Sequence, residues 1–266
     1  MSGFESDWLS LREPADRRAR DPGLLAAAAA HVASTPGAVV DLGCGTGSTF
    51  RALDALLPAA TPWIFVDDDA ALLARAHALQ APADRERVRL HPADLAGLGN
   101  EAFDTAALVT ASALFDLVSE RFIGTLARQM AGRGLALYSA LTVDGRIAWD
   151  SPHELDEAIV AAFSRDQQRD KGFGPGLGGD AAAVLEAAFA AEGYAVQSST
   201  SDWTLGAGDL ALQDAFHAGL AEPARAAMDE QTIAGWLDHR AEAARAGAGV
   251  RVGHRDMLAL PPGLKS

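Results

Sequence analysis

The chain has 266 residues, 49% of them hydrophobic, enough for a sizeable core with additional segments. A formal net charge of −14 argues against nucleic acid as a partner, because phosphate binding needs a compensating basic patch. A single cysteine, Cys44, excludes an intrachain disulfide and suits a cytoplasmic setting. No apolar run approaches the roughly 20 residues of a membrane span, so no membrane partner is expected. The basic stretch Arg17-Arg18-Ala19-Arg20 ahead of an alanine-rich run has the makeup of a leader peptide. That run is short, follows Pro22-Gly23 and is broken by His31, so it reads as an internal helix instead.

Residues 6–19 are expected to be helical, with a break or restart at Pro14. Asp21-Pro22 caps and opens a second helix, which Ser34-Thr35-Pro36-Gly37 ends. A buried strand follows at 38–42, and a helix at 47–57 stopped by Pro58. Trp63-Ile64-Phe65-Val66 is the next strand, closed by Asp67-Asp68-Asp69, with Asp69 as cap of a helix at 70–79. Strands at 88–91, 105–110 and 135–141 and a helix at 119–131 complete the regular part. Strands alternating with helices imply right-handed crossovers and a mostly parallel, doubly wound α/β sheet.

Beyond residue 141 the pattern loosens. Ser151-Pro152-His153-Glu154 is a capping-box signature opening a helix to about residue 168. Residues 169–179 are too glycine-rich for regular structure. Asp180 caps a helix to about 192, and 194–203 reads as strand six. Alanine-rich helices fill 206–247, and a seventh strand spans about 250–260. The whole reads as one domain: N-terminal helices at 1–37, a ligand-binding core at 38–141, an insertion at 142–180, and the rest of the sheet with a helical insertion at 181–266.

Open α/β sheets bind ligands at the carboxyl ends of their strands. The richest stretch on that rim is Asp41-Leu42-Gly43-Cys44-Gly45-Thr46-Gly47-Ser48. Glycines let backbone N–H groups approach a ligand closely. A dinucleotide turn would need a third glycine at position 48, where serine stands, and gains nothing from an adjacent carboxylate. Asp41 beside the turn suits a ligand ammonium, and Asp67 at the end of the second strand suits a ribose diol. Cys44 is expected to pack in the turn rather than act as a nucleophile, since no histidine partner lies in the motif.

The sequence Asp-Leu-Gly-Cys-Gly-Thr-Gly at 41–47 resembles motif I of the class I S-adenosylmethionine-dependent methyltransferases. The resemblance extends well over residues 24–141 and rests on element order beyond 180. It implies a Rossmann-like fold of seven strands and S-adenosylmethionine as cofactor. The implied cofactor residues are Asp41, Gly43, Cys44, Gly45, Gly47, Asp67, Asp68, Asp94, Leu95 and Thr110, with Asp94 and Leu95 on the adenine side. No metal is assigned. The implied activity is methyl transfer to a small-molecule acceptor.

Methyl transfer needs positioning more than a fixed catalytic group, so no catalytic residue is named. Acceptor contacts are expected from Ser112 and Phe115 after strand four, Arg146 after strand five, and Trp203. The segment 206–247 is expected to cap this pocket, and the glycine-rich segment to act as its lid. Lys171, with Arg146 or Arg169, reads either as a holder of an anionic group or as a solvated partner of Asp166 or Asp170. Two other activities stay open on this scaffold: aminopropyl transfer, kept alive by the Asp67-Asp68-Asp69 block, and a non-catalytic cofactor-binding regulator. Oligomeric state is not legible.

Overall fold

The structure is a computed structural model and describes residues 2–170, 172 and 174–263. Strands β1 (Ala38–Leu42) and β2 (Trp63–Asp67) are buried at every position. Their sequences run apolar without alternation because helices cover both faces of a parallel sheet. With β3 (Val88–Pro92), β4 (Ala106–Ser112) and β5 (Ala136–Trp149) they form a parallel array. The remaining strands are β6 (Ala195–Thr200), β7 (Trp203–Leu205) and β8 (Val250–Leu260). The sheet order is β3-β2-β1-β4-β5-β8-β6, with β7 also on β8, and β8 antiparallel to its neighbours. The order turns back between β1 and β4, the point where such sheets open a crevice.

Helices α1 (Ser2–Ala19), α2 (Pro22–Ser34), α3 (Ser48–Leu53), α4 (Ala70–Leu79) and the single turn α5 (Pro82–Arg85) belong to the first half. Helices α6 (Glu120–Ala131), α7 (Asp156–Gln167), α8 (Ala181–Ala191), α9 (Leu210–Ala221) and α10 (Glu230–Arg245) follow. Alternate strand residues feed two cores. Val40, Leu42, Ile64 and Val66 pack toward α6 and α8, while Val39, Trp63, Phe65 and Leu108 pack toward α2, α3 and α4. Helix α6 buries Ile123, Leu126, Ala127 and Met130, a one-faced helical spacing.

A third cluster joins α7, α9 and α10 through Ile159, Leu220, Ile233 and Trp236. Inside it, Asp156 accepts from the Trp236 indole N–H at 2.8 Å and pairs with the buried Arg240 guanidinium, which also stacks over Trp149. This cap rests on an arm made by β5 and β8, which run together beyond the parallel array.

Several expectations change. The expected seven-stranded sheet is present, and the short β7, paired to β8, adds an eighth strand. Strand six divides at Ser201-Asp202, because the Asp202 carboxylate takes the His254 N–H that a strand carbonyl would otherwise receive. Strand five does not stop at 141. It continues to Trp149, so the start of the expected insertion is paired backbone at 142–143 and 147–149, with a bulge between Val143 and Ile147.

Helix α1 runs through Pro14 without a break, held on both sides by packing of Trp8, Leu11 and Ala15 against β7 and β8 residues. The helix expected at 47–57 ends at Leu53 and tightens into a 3₁₀ turn, where Asp54 turns to the Trp63 indole and Arg87. No capping box forms at 151–154: α7 starts at Asp156, whose carboxylate accepts from His153 N–H. Asp180 makes no side-chain cap, because a 3₁₀ turn already leads into α8 in helical conformation. Asp21 and Asp69 cap α2 and α4 as expected.

Candidate functional site

The turn after β1 places Gly43, Gly45 and Gly47 in the left-handed region, at φ of +60°, +53° and +81°. A Cβ on Gly43 would lie 3.2 Å from Leu114, and one on Gly45 would lie 3.1 Å from Leu9 of α1. The turn is therefore both conformationally restricted and closely approached. Cys44 is buried within it, and burial with the neighbouring Asp41 and Asp67 charges pushes its thiol far up, away from nucleophilic use.

Asp41, the penultimate residue of β1, lies opposite Thr110 on β4. Its Oδ1 accepts from the Thr110 hydroxyl at 2.7 Å, while Oδ2 is buried with no hydrogen-bond partner. Burial pushes its pKa up to about 7; Thr110, the nearby Arg20 charge and Thr49 offset only part of that cost. Asp67, at the end of β2, accepts from Gly45 N–H at 2.9 Å and from Asp69 N–H at 3.0 Å. Burial also raises its pKa, opposed by these two backbone donors.

Arg20 stands at the joint between α1 and α2. The Asp21 N–H donates to the buried Asp256 carboxylate at 2.9 Å, which ties the joint to β8 and turns Arg20 inward. Its guanidinium is buried, donates from Nη2 to Ser112 Oγ at 2.9 Å, and leaves Nη1 buried without a partner. One orphaned anionic oxygen and one orphaned cationic N–H thus lie beside the turn. Each is costly to bury unpaired.

Among the other expected cofactor residues, Asp68 is exposed. Asp94 is exposed as well, and accepts from Ala96 N–H at 2.8 Å as the cap of a 3₁₀ turn. Leu95 is buried in the core beneath that turn.

A cavity of about 750 Å³ lies between α1, the β5–β8 arm and the cap helices α7 and α9. That size suits a small molecule. Trp203 lines it together with Phe163, Val160, Phe216 and Ile147. Ala113 and Asp116, from the segment after β4, line it as well. Helix α9 forms one wall, while His217 and Trp236 lie in the cap's own interior. Trp203 is buried and donates from Nε1 to Asp16 at 2.9 Å. Arg12 pairs with the same carboxylate at 2.9 Å and sits over the Trp203 ring.

Phe115 is a correction: the 3₁₀ turn after β4 directs it into the main core, fully buried, rather than to the cavity. Arg146 reaches the cavity mouth but is paired with Asp144 and Asp202. Arg169 pairs with Asp166 at 3.0 Å. Lys171 lies outside the described residues. The glycine-rich segment is tied down at its far end, where Leu177 N–H donates to Val118 O at 3.1 Å.

Sequence reasoning missed Arg20, Trp8, Arg12 and His254. Arg20 hid in a basic cluster with the makeup of a leader peptide, and the other three come from elements distant in sequence from the turn. Only folding assembles them, and no local spacing signals it.

No protein-family model matches the sequence, and no curated protein matches it. Solved structures do superpose. A cyclopropane-fatty-acyl-phospholipid synthase-like protein from Lactobacillus casei aligns at a TM-score of 0.53 and 13% identity, covering 97% of this chain and 98% of that one. The YcgJ protein from Bacillus subtilis aligns at 0.52 and 17% identity, covering 91% and 98%. Sheet order, glycine turn and these superpositions agree on a Rossmann-like α/β fold, the fold that the resemblance of residues 41–47 implied.

Proposed function

We propose that the protein binds S-adenosylmethionine and transfers its methyl group to a small, mostly apolar acceptor. The observation that carries this reading is the orphaned pair beside the glycine turn, Asp41 Oδ2 and Arg20 Nη1. One end of the cofactor bears both an ammonium and a carboxylate, so a single ligand satisfies both groups. Gly43, Cys44, Gly45 and Gly47 are the candidates to approach the same end with backbone, through carbonyl oxygens where the N–H groups of Cys44, Gly45 and Gly47 already donate to Val66 O, Asp67 and Cys44 O. Asp67 is the candidate for the ribose hydroxyls; Asp68, Asp94 and Leu95 are candidates for the rest of the nucleoside.

When bound, the cofactor supplies an activated methyl carbon. The work left to the chain is binding, alignment and exclusion of water. In this reading the chain is one methyltransferase domain, with the β5–β8 arm and cap helices as acceptor walls. A polyamine acceptor would call for several carboxylates along those walls, whereas the lining is mostly aromatic, aliphatic or glycine and carries two, Asp116, which accepts from Gln167, and Glu222, which pairs with Arg225. That disfavours aminopropyl transfer.

Calorimetric titration with S-adenosylhomocysteine and with 5′-methylthioadenosine, which lacks the amino-acid end, tests the assignment. Arg20→Ala weakens S-adenosylhomocysteine by about 10- to 100-fold and leaves methylthioadenosine unchanged. Equal loss for both ligands would remove Arg20 from the site. Release of labelled methyl groups to a metabolite pool then separates an enzyme from a regulator, which would bind without turnover.

A further inference from the structure

His254 belongs to β8 at the wall of the apolar cavity, and its backbone is held from two sides. Ser201 N–H donates to His254 O at 2.9 Å, and His254 N–H donates to Asp202 at 3.2 Å. The imidazole packs against Trp203 with ring centroids 5.1 Å apart. Its Nδ1 lies 3.0 Å from the Val252 carbonyl oxygen. A carbonyl only accepts, so Nδ1 carries the proton. Burial and the Arg12 charge press the imidazole's pKa down to about 4, against the opposing pull of Asp16 and Asp144, so the ring is neutral at pH 7. Its Nε2 then bears a lone pair and can only accept.

The surroundings narrow what could donate to it. Arg12 is neutralised by Asp16, and Arg146 at the mouth by Asp144 and Asp202. Neither offers a free charge to an anion. The two carboxylates on the wall are engaged as well: Glu222 pairs with Arg225, and Asp116 accepts from Gln167 Nε2 at 3.4 Å. Aromatic and aliphatic side chains supply most of the remaining wall.

Building on the methyl-transfer reading, we infer that the acceptor is a neutral, mostly apolar molecule whose reacting hydroxyl or neutral N–H donates a hydrogen bond to His254 Nε2. For a hydroxyl, the oxygen forms its bond to the methyl carbon, the carbon–sulfur bond breaks, and its electron pair stays on sulfur. The hydroxyl proton ends on Nε2. A weakly basic imidazole suffices, because the oxygen becomes strongly acidic as the new bond forms.

The test needs no turnover. Titrations of the full chain use 1-naphthol and its methyl ether, 1-methoxynaphthalene, as probes. Wild type prefers the naphthol by about tenfold or more. His254→Leu abolishes the preference, and His254→Gln, whose amide oxygen can accept in place of Nε2, restores part of it; melting curves establish that each variant folds. If His254→Leu does not fold, the naphthol preference of His254→Gln decides alone. Equal binding of the two probes by wild type, no binding of either, or an unchanged preference in the folded leucine variant would overturn the inference. S-adenosylhomocysteine binding is measured alongside. Its loss with the naphthol preference intact would defeat the methyl-transfer reading alone, and its presence without the preference would defeat only the role of His254.

Discussion

At the scale of single residues, the free protein bears a cost at Asp41. Its folded pKa of about 7 lies above the ordinary value near 4, so the folded state holds a proton that the unfolded chain has released. Stability therefore falls as pH rises from about 4 to 7, by about 4 kcal/mol at most. A ligand ammonium at Oδ2 needs the ionised form. Affinity for S-adenosylhomocysteine is expected to weaken about tenfold per unit as pH drops below 7, and Asp41→Asn should flatten the profile. Calorimetry from about pH 5.5 to 8.5 checks this, and a wild-type profile already flat would remove Asp41 from the ammonium subsite. The sequence marked Asp41 clearly because acid and glycines are neighbours in the chain. It marked Arg20 not at all, because that side chain reaches the site only through the tie of Asp21 to Asp256, far downstream.

Among the elements, the β5–β8 arm decides the shape of the cavity. Residues 144–146 bulge over Gly253, where a Cβ would lie 2.0 Å from Asp144 Oδ1 and 2.9 Å from Arg146 Cβ. Gly253→Ala is expected to destabilise the protein by about 2 kcal/mol, a fall in Tm of roughly 5 °C. An unchanged Tm would mean that the bulge yields without cost. The parallel strands were legible from their unbroken apolar runs, as were the amphipathic α6 and the caps at Asp21 and Asp69. The arm was not. Asp144-Gly145 has the composition of a turn, residues 142–149 mix polar with apolar, and the pairing partner that holds them extended lies far along the chain. Pro14 misled for the same reason: local propensity predicted a break that tertiary packing overrides.

Over the whole molecule, α1 belongs to two places at once. Leu9 lies on the glycine turn, while Trp8 and Arg12 line the cavity. Glu13 clasps Arg51 of α3 through two hydrogen bonds of 2.6 Å. In the proposed reading, a nucleoside on the turn meets Leu9, and a molecule in the cavity meets Trp8 and Arg12 of the same helix. Both ligands would then bear on α1. Binding should be ordered, with the nucleoside entering first and leaving last. Stopped-flow release of S-adenosylhomocysteine is expected to slow several-fold when 1-naphthol occupies the cavity, and to quicken in Glu13→Gln. A release rate indifferent to both would mean independent entrances. With a shared one, a methyltransferase of the proposed kind would be slowed by a lingering product that holds the spent donor behind it.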